Sequence, residues 1–115
     1  MKESIDQFLP LSPAVLHILL ALASEDRHGY GIMQEVARQS DGRYKLGPGT
    51  LYDNLQRLLE SGIVEEFSRG SSAKDPRRRY YRLTGFGQVL STEITRLEGV
   101  VREARVHLKP RLGRA

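Results

Sequence analysis

The sequence of 115 residues contains no cysteine and no tryptophan, and only 7% of its residues are aromatic. The lack of cysteine excludes disulfide bonds, thiolate zinc sites and cysteine nucleophiles, and it is compatible with a reducing cytoplasm. The longest apolar stretch, residues 14–23, falls short of the ~20 residues that a membrane-spanning helix needs. The segment before it is acidic and contains prolines, unlike the basic start of a secretion signal. We therefore expect a cytoplasmic protein that does not span a membrane.

The charge balance favours an anionic partner. Eighteen Lys and Arg residues against 14 Asp and Glu residues give a net charge of +4, and an excess of positive charge is common in proteins that bind nucleic acid. A chain of this length forms a single domain with one modest core, which excludes a large multi-step enzyme. Three scattered histidines, with no nucleophile and base set and no phosphate-binding loop, predict no metal, no cofactor and no enzymatic activity.

Two helices are predicted in the first third of the chain. Ser12 offers a capping oxygen before Pro13, so the first helix begins there and runs to about Ser24. Its apolar residues surround the helix axis, which predicts that it is packed on several sides. The second helix opens at residues 28–31 and stops at Gly42.

A third helix and two strands follow. The apolar residues of the third helix recur at i, i+4, i+7 and i+8 and end at Gly62, the pattern of a helix with one buried face; they are Leu51, Leu55, Leu58 and Leu59. Residues 63–67 and 80–84 have strand composition, and a polar connection joins them. The fold class predicted from this order is mainly α with a small β-hairpin, a winged helix-turn-helix followed by a long C-terminal dimerisation helix.

The C-terminal segment, from Gly85 to about Leu108, carries apolar residues at heptad spacing. A helix of about 24 residues is ~36 Å long, more than a small three-helix domain covers. We predict a symmetric homodimer in which these helices and an N-terminal arm bury each other, although the helix could also fold back along its own domain. Residues 1–84 would form the DNA-binding domain and residues 85–115 the dimerisation helix and basic tail. The predicted interface comprises Phe8, Leu9, Leu90, Ile94, Leu97, Val101, Ala104 and Leu108.

The exposed face of the third helix is a candidate surface for reading bases, because this helix enters the major groove in winged-helix proteins. Arg57 could pair with guanine and Asn54 with adenine, and Lys45 adds a positive charge just before the helix. The turn at residues 47–49 leaves backbone N–H groups at the helix start, where Thr50 and Tyr52 could add hydroxyl donors to a phosphate. An ordinary solvated helix face with a simple cap is the alternative.

The connection between the two strands holds most of the positive charge. Between Arg69 and Arg82 there are six basic residues and one acidic residue, Asp75. Tips of this kind lie along the DNA backbone and supply salt-sensitive affinity that does not depend on sequence. We assign DNA contact here to Lys74, Arg77, Arg78 and Arg79. A solvated charge run is the alternative, with Arg79 and Arg82 paired to Glu65 or Glu66 across the hairpin.

From residue 11 to residue 106 the chain resembles the PadR family of transcriptional regulators, in its short form with one C-terminal helix. The resemblance rests on residues 28–32 (HGYGI), 48–52 (PGTLY), 55–64 and 79–84 (RYYRLT). It implies a homodimer that binds a partly palindromic operator, represses a neighbouring gene and leaves the DNA when a small-molecule or stress effector acts. It also implies DNA contact at Thr50 and Tyr52, and more loosely at the wing.

Three features depart from the family pattern. Gly47 stands where Ser or Thr is common and Asp53 where Pro is common, and the chain has no tryptophan to bind planar drugs. Two other classes remain open: a winged-helix module that binds a protein partner, and an RNA-binding domain. The few aromatic residues and the hidden major groove of A-form RNA argue against the latter.

Overall fold

The computed structural model describes residue 8, residues 11–70 and residues 78–112. In chain order the elements are α1 (Pro13–Ser24), β1 (Arg27–His28), α2 (Gly29–Gln39), α3 (Pro48–Glu60), β2 (Val64–Ser68), β3 (Arg79–Leu83) and α4 (Gly85–Leu112). The strands form one antiparallel sheet in the order β1-β3-β2. The predicted fold class, a mainly helical winged helix-turn-helix with a small hairpin, is confirmed.

Local signals in the sequence set the helix boundaries. The Ser12 hydroxyl accepts a hydrogen bond from the Val15 N–H at 3.2 Å, and Pro13 occupies the first turn of α1, where its missing N–H costs nothing. After α3, Gly62 has a φ of +78°, a left-handed conformation that glycine adopts without strain. The predicted starts of α1 and α2 and the predicted end of α3 are therefore confirmed to within a residue or two.

The first helix lies in the centre of the core. Ile18 and Leu19 are fully buried, and so are Leu51, Leu58 and Ile63 from α3 and the turn after it. The side chains of α1 pack against α2, α3, α4 and β3, as the apolar residues all around its axis predict. The helix-turn-helix and the wing are thus fixed to one central element.

A third strand, β1, was not predicted from the sequence. Its two residues pair with β3, with Arg27 opposite Tyr81 and His28 opposite Tyr80. The sequence indicates only a turn here, because two residues are too few to show a period-two pattern. The consequence for the site is direct: β1 holds the start of α2 against the strand that leads out of the wing.

The last helix joins the domain through a short, tight connection. The Thr84 hydroxyl donates to the Gly62 carbonyl oxygen at 2.6 Å and accepts from the Gly87 N–H at 3.3 Å. A Cβ atom at Gly87 would lie only 2.5 Å from the Ile63 carbonyl oxygen. Because this neighbour is backbone, the close packing of α4 on the domain requires glycine.

The structure changes the expected role of two seam residues. The heptad pattern assigns Leu90 and Ile94 to an interface between copies, but the structure buries both in the core of the single chain, at 0% and 3% exposure. The first half of α4 therefore does fold back along its own domain. Leu97 is half-buried, and Val101, Ala104 and Leu108 are exposed. The part of the seam that is open to a partner begins near Leu97, and α4 continues to Leu112, beyond the predicted end.

Phe8 also lies inside the single chain. It is 4% exposed and belongs to the core, with the guanidinium carbon of Arg57 5.1 Å from its ring centroid. The prediction that it covers a partner is thus corrected for this side chain, which packs against its own α3. Leu9 lies outside the described residues. No described helix is long and apolar enough to cross a membrane.

Candidate nucleic-acid interface

One face of α3 is buried and the other is open. Leu51, Leu55 and Leu58 point into the core, and Leu59 is partly buried against it. Thr50, Tyr52, Asp53, Gln56 and Arg57 are exposed. Gly47 caps the helix without a side-chain hydrogen bond. The exposed face is polar and has room for a ligand.

Two of the residues assigned to base reading have contacts within the chain. The Asn54 amide donates to the Thr50 carbonyl oxygen at 2.8 Å, and Arg57 lies over the Phe8 ring. Both contacts are at the surface, where a side chain can turn to another acceptor at small cost. Lys45 is exposed in the loop before α3. Lys74 and Arg77 lie outside the described residues.

Tyr52 links the two helices of the helix-turn-helix. It is 48% exposed, and a Cβ atom at position 29 would lie 2.2 Å from its hydroxyl oxygen. Glycine at position 29 leaves room for the Tyr52 hydroxyl in this position, and a larger side chain there would displace it. That hydroxyl faces the same side of the molecule as Arg78 and Arg79, since all three line one cavity.

The base of the wing presents arginines with different partners. Arg82 forms a salt bridge with Glu65, with Nε 2.5 Å from Oε1, and Arg79 lies 3.9 Å from Glu66. Both pairings were predicted as the alternative to DNA contact. The Arg79 side chain is still 61% exposed, and a loose surface pair of this kind contributes little stability. Arg79 therefore remains available to an anion.

Tyr81 lies beneath these arginines on β3. It is 5% exposed, and burial, together with the nearby Glu66 carboxylate, raises the pKa of its hydroxyl to about 12. The phenol donates a hydrogen bond to the Glu66 carboxylate, which lies opposite Tyr81 in the pairing of β2 with β3. Tyr81 lines the same cavity as Arg79 and Tyr52.

His28 is a site residue that the sequence did not reveal. Its Nδ1 caps α2 by accepting from the Gly31 N–H at 3.0 Å. Its Nε2, however, lies 2.8 Å from Nη1 of Arg78. Burial lowers the pKa of His28, and the charges of Arg78 and Arg69 lower it further. The two residues are 50 positions apart, so no local pattern could have indicated the contact.

The surface can hold anions and present polar side chains to a groove. Among the residues that the structure describes, no group of three or more His, Asp or Glu side chains could hold a metal ion. The groups that this surface offers are hydrogen-bond donors. They are the guanidinium groups of Arg78 and Arg79, the hydroxyls of Tyr52 and Tyr81, the imidazole of His28 and the backbone N–H groups at the start of α3. Donors of these kinds make most of the contacts between proteins and DNA phosphates.

Fold and surface together define a winged helix-turn-helix protein with a basic wing. The chain belongs to the PadR-like family of transcriptional regulators, whose family model matches residues 16–93. It is 38% identical over 89 residues to transcriptional regulator Rv3488 of Mycobacterium tuberculosis, covering 76% of this chain and 78% of that protein. It is also 30% identical over 86 residues to an uncharacterised protein of Lysinibacillus sphaericus, covering 75% and 78% of the two chains.

A solved structure supports the fold. The crystal structure of a PadR family transcription regulator from Clostridium difficile superposes with a TM-score of 0.68 at 22% sequence identity, covering 84% of this chain and 98% of that one. At this identity the similarity shows a shared architecture. The family resemblance inferred from the sequence is confirmed.

Proposed function

We propose that this protein is a homodimeric repressor that binds double-stranded DNA sequence-specifically through α3 and the wing. It acts by binding, without catalysis, in the cytoplasm. Residues 1–84 form the DNA-binding domain, and residues 85–115 form the dimerisation helix and basic tail. The observation that carries the proposal is the continuity of the surface: Tyr52 of α3 and Arg78 and Arg79 of the wing base line the same cavity. A duplex lying on α3 therefore meets the wing arginines as well.

The two parts of this surface have different tasks. The exposed side chains of α3, Thr50, Asn54 and Arg57 among them, read a half-site from the major groove, where each base pair presents a distinct pattern of donors and acceptors. The wing arginines bind phosphates and supply affinity without sequence information. In a dimer the two copies of α3 address half-sites roughly 34–36 Å apart.

A groove between α1 and α4 supports the dimer. Its volume is about 620 Å³, and its apolar walls come from Leu11, Leu16, Leu20, Leu97 and Val101. Val100, Val101 and Leu108 leave about half of their surface exposed in the single chain. A second copy of α4 supplies the apolar side chains that cover this groove, because solvent-exposed apolar surface along a protruding helix favours association.

The part of this groove that the second α4 leaves open is the proposed site for a small-molecule effector. The volume of the groove lies in the range of sites for small ligands, and Glu98, Arg102 and Arg105 add charged groups to its lining. A ligand that binds between the two copies of α4 would change the separation of the two α3 helices and release the operator.

The first test is fluorescence anisotropy with the DNA immediately upstream of the protein's own gene and a scrambled duplex of the same composition. At about 150 mM salt, a sequence-reading regulator binds its operator some 10³-fold or more tightly than the scramble. Equal and weak binding to both duplexes contradicts the proposal and favours a winged-helix module for a protein partner.

A further inference from the structure

A small cavity opens where the start of α2, α3 and the wing base meet. Its volume is about 300 Å³, and it is lined by His28, Gly29, Tyr30, Tyr52, Arg78, Arg79 and Tyr81; we call it the His28–Arg78 pocket. Tyr52, Arg78 and Arg79 belong to the proposed DNA surface, whereas no particular ligand atom has been assigned to Nε2 of His28 or to Tyr30.

In this pocket each ring nitrogen of His28 faces a hydrogen-bond donor, although a neutral imidazole can accept at only one of them. Nδ1 of His28 lies 3.0 Å from the Gly31 nitrogen, and Nε2 lies 2.8 Å from Nη1 of Arg78. Backbone N–H and guanidinium groups only donate, and a neutral imidazole has a single acceptor nitrogen. If Nδ1 accepts from Gly31, Nε2 carries a proton and faces another N–H group. In the other tautomer Nδ1 carries the proton, and it then faces the Gly31 N–H, which is also a donor.

Protonation of His28 does not resolve the conflict. An imidazolium has no acceptor nitrogen at all, so it would lose the cap of α2 as well. Burial and the charges of Arg78 and Arg69 lower the pKa of His28, which keeps the ring neutral near pH 7. Glu25, Asp26, Gln34 and Tyr80 line an adjoining cavity together with His28, and within the part of the chain that the structure describes the polar partner of Nε2 is Arg78.

We propose that the His28–Arg78 pocket binds one backbone phosphate of the DNA duplex, with Nε2–H of His28 and the guanidinium of Arg78 donating to its oxygens. A phosphate accepts from both donors at once, so it resolves the contact between Nε2–H of His28 and the Arg78 guanidinium. Arg79 adds charge, and the hydroxyls of Tyr30 and Tyr52 are further donors on the pocket wall. The inference rests on the proposed function and names the ligand chemistry, a phosphodiester.

The pocket would also set the position of α3 on the duplex. Tyr52 belongs to α3, and its hydroxyl lies against Gly29 at the start of α2, while Arg78 leads into β3. A phosphate bound here is held by three elements at once. Phosphate contacts fix the register of a protein on DNA, and base contacts then specify the sequence.

Two substitutions and one control test the pocket. His28→Asn keeps a favoured cap residue for α2 but loses the Nε2 donor, and Arg78→Gln removes the charge. Arg96→Gln is the matched control, because Arg96 lies on α4 and pairs with Glu93. Affinities for the operator and for a scrambled duplex are measured by anisotropy over a range of salt concentrations, and thermal unfolding checks that each variant is folded.

The expected result is a uniform loss of affinity. His28→Asn and Arg78→Gln weaken binding to both duplexes by the same factor, about tenfold for each charge-assisted hydrogen bond that is lost. Because the homodimer carries two such pockets, Arg78→Gln also lowers the slope of log affinity against log salt by about 1.8, since two fewer phosphates are neutralised. Arg96→Gln changes neither quantity.

Neutral methylphosphonates identify the phosphate itself. Replacing the operator phosphates one at a time should reveal one position in each half-site where the wild type loses more affinity than Arg78→Gln, which keeps the other donors of the pocket. Inorganic phosphate at millimolar concentration and constant ionic strength should compete with this contact, so it should displace DNA from the wild type more readily than from Arg78→Gln. Equal losses in both proteins at every phosphate position, with equal displacement by free phosphate, contradict the proposal.

The failure of this inference differs from the failure of the proposed function. A wild-type protein that prefers its operator, with unchanged salt slopes and affinities in His28→Asn and Arg78→Gln, overturns the pocket alone. A wild-type protein without sequence preference contradicts the proposed function, while the salt slopes on the scrambled duplex still report whether the pocket binds a phosphate.

Discussion

At the scale of single residues, Glu35 is a carboxylate placed in the interior. It lies on α2 and is 8% exposed, and it accepts hydrogen bonds from Arg38 at 2.8 and 2.5 Å and from Gln39 at 2.9 Å. Arg27 lies 3.6 Å away. The hydrogen bond from Arg38 is the main reason that the pKa of Glu35 falls to about 2, with Gln39 and Arg27 lowering it further.

We expect Glu35→Gln to destabilise the protein by about 1–3 kcal/mol at pH 7, because it removes a charged acceptor from a buried network. The measurement is urea unfolding. The wild type should lose stability as the pH falls from 4.5 toward 2, since the unfolded chain binds the proton more readily over this interval. The variant should lose less over the same interval. Glu93→Gln, in a surface pair with Arg96 on α4, is the control and should cost less stability than Glu35→Gln.

Protonation of His28 gives a second dependence on pH. The folded state holds the pKa of His28 below 6.5 through burial and the charges of Arg78 and Arg69, so the unfolded chain binds the proton first as the pH falls. Stability should therefore be full above pH 6.5 and decrease below it until the lowered pKa is passed. Burial lowers the pKa of His17 as well, so it adds to the effect with the same sign.

His28→Asn isolates the contribution of His28. This variant keeps a capping side chain but has no titrating group at position 28. Thermal unfolding at several pH values below 6.5 should show a shallower loss than in the wild type. The same loss in both proteins would assign the effect to other groups.

What the sequence predicts at this scale is local. The cap at Ser12 and the left-handed residue at Gly62 follow from the chemistry of one or two positions, and both were predicted correctly. The contact between His28 and Arg78 joins positions 50 apart, and it depends on the pairing of β1 with β3. A single sequence does not indicate such pairings, so His28 is not among the DNA-contact residues predicted from it.

At the scale of elements, α4 contains two interior glycines with opposite surroundings. A Cβ atom at Gly87 would lie 2.5 Å from the Ile63 backbone oxygen, whereas at Gly99 nothing lies within 4 Å. Gly87→Ala should therefore destabilise the protein, because rigid backbone has to move. Gly99→Ala should stabilise α4 by about 1 kcal/mol, the difference in helix propensity between the two residues. Urea unfolding of both variants measures these effects.

Gly99→Ala also probes the packing between copies. Gly99 has no side chain, so a partner helix could cross close to it. If the substitution destabilises the protein only at concentrations where the dimer forms, the two copies of α4 approach each other closely at this position. A gain in stability at every concentration indicates that Gly99 faces open space in the dimer as well.

The heptad pattern of α4 shows both the strength and the limit of reasoning from periodicity. Spacings of three and four residues correctly predicted one long helix with a single apolar seam. The spacings did not predict what the seam packs against, because apolar side chains are equally suited to the chain's own core and to a helix of a second copy. Leu90 and Ile94 face the chain's own core, whereas Val101 and Leu108 are left exposed.

At the scale of the whole molecule, the exposed second half of α4 would determine how the DNA-binding surfaces of two copies are placed relative to each other. The 28 residues of α4 extend over ~42 Å. Only the first half packs on the domain. The second half would be only weakly stable as an isolated helix in water. This favours its packing against a second copy of the chain. A dimer built on this half would place two copies of α3 at fixed separation and so double the contact with DNA.

The dimer can be tested with two matched substitutions on the same helix. Val101 is 50% exposed and lines the groove with α1, and Val106 is 60% exposed and is not part of that groove. Val101→Glu places a charge in the proposed interface and should yield a monomer in sedimentation experiments. Its affinity for the operator should fall by ~100-fold or more, because the two half-sites are no longer bound together. Val106→Glu introduces the same charge on a different face and should leave both the dimer and the affinity unchanged. If both variants stay dimeric, the interface lies elsewhere; if both dissociate, the added charge acts through the helix as a whole and not through the groove.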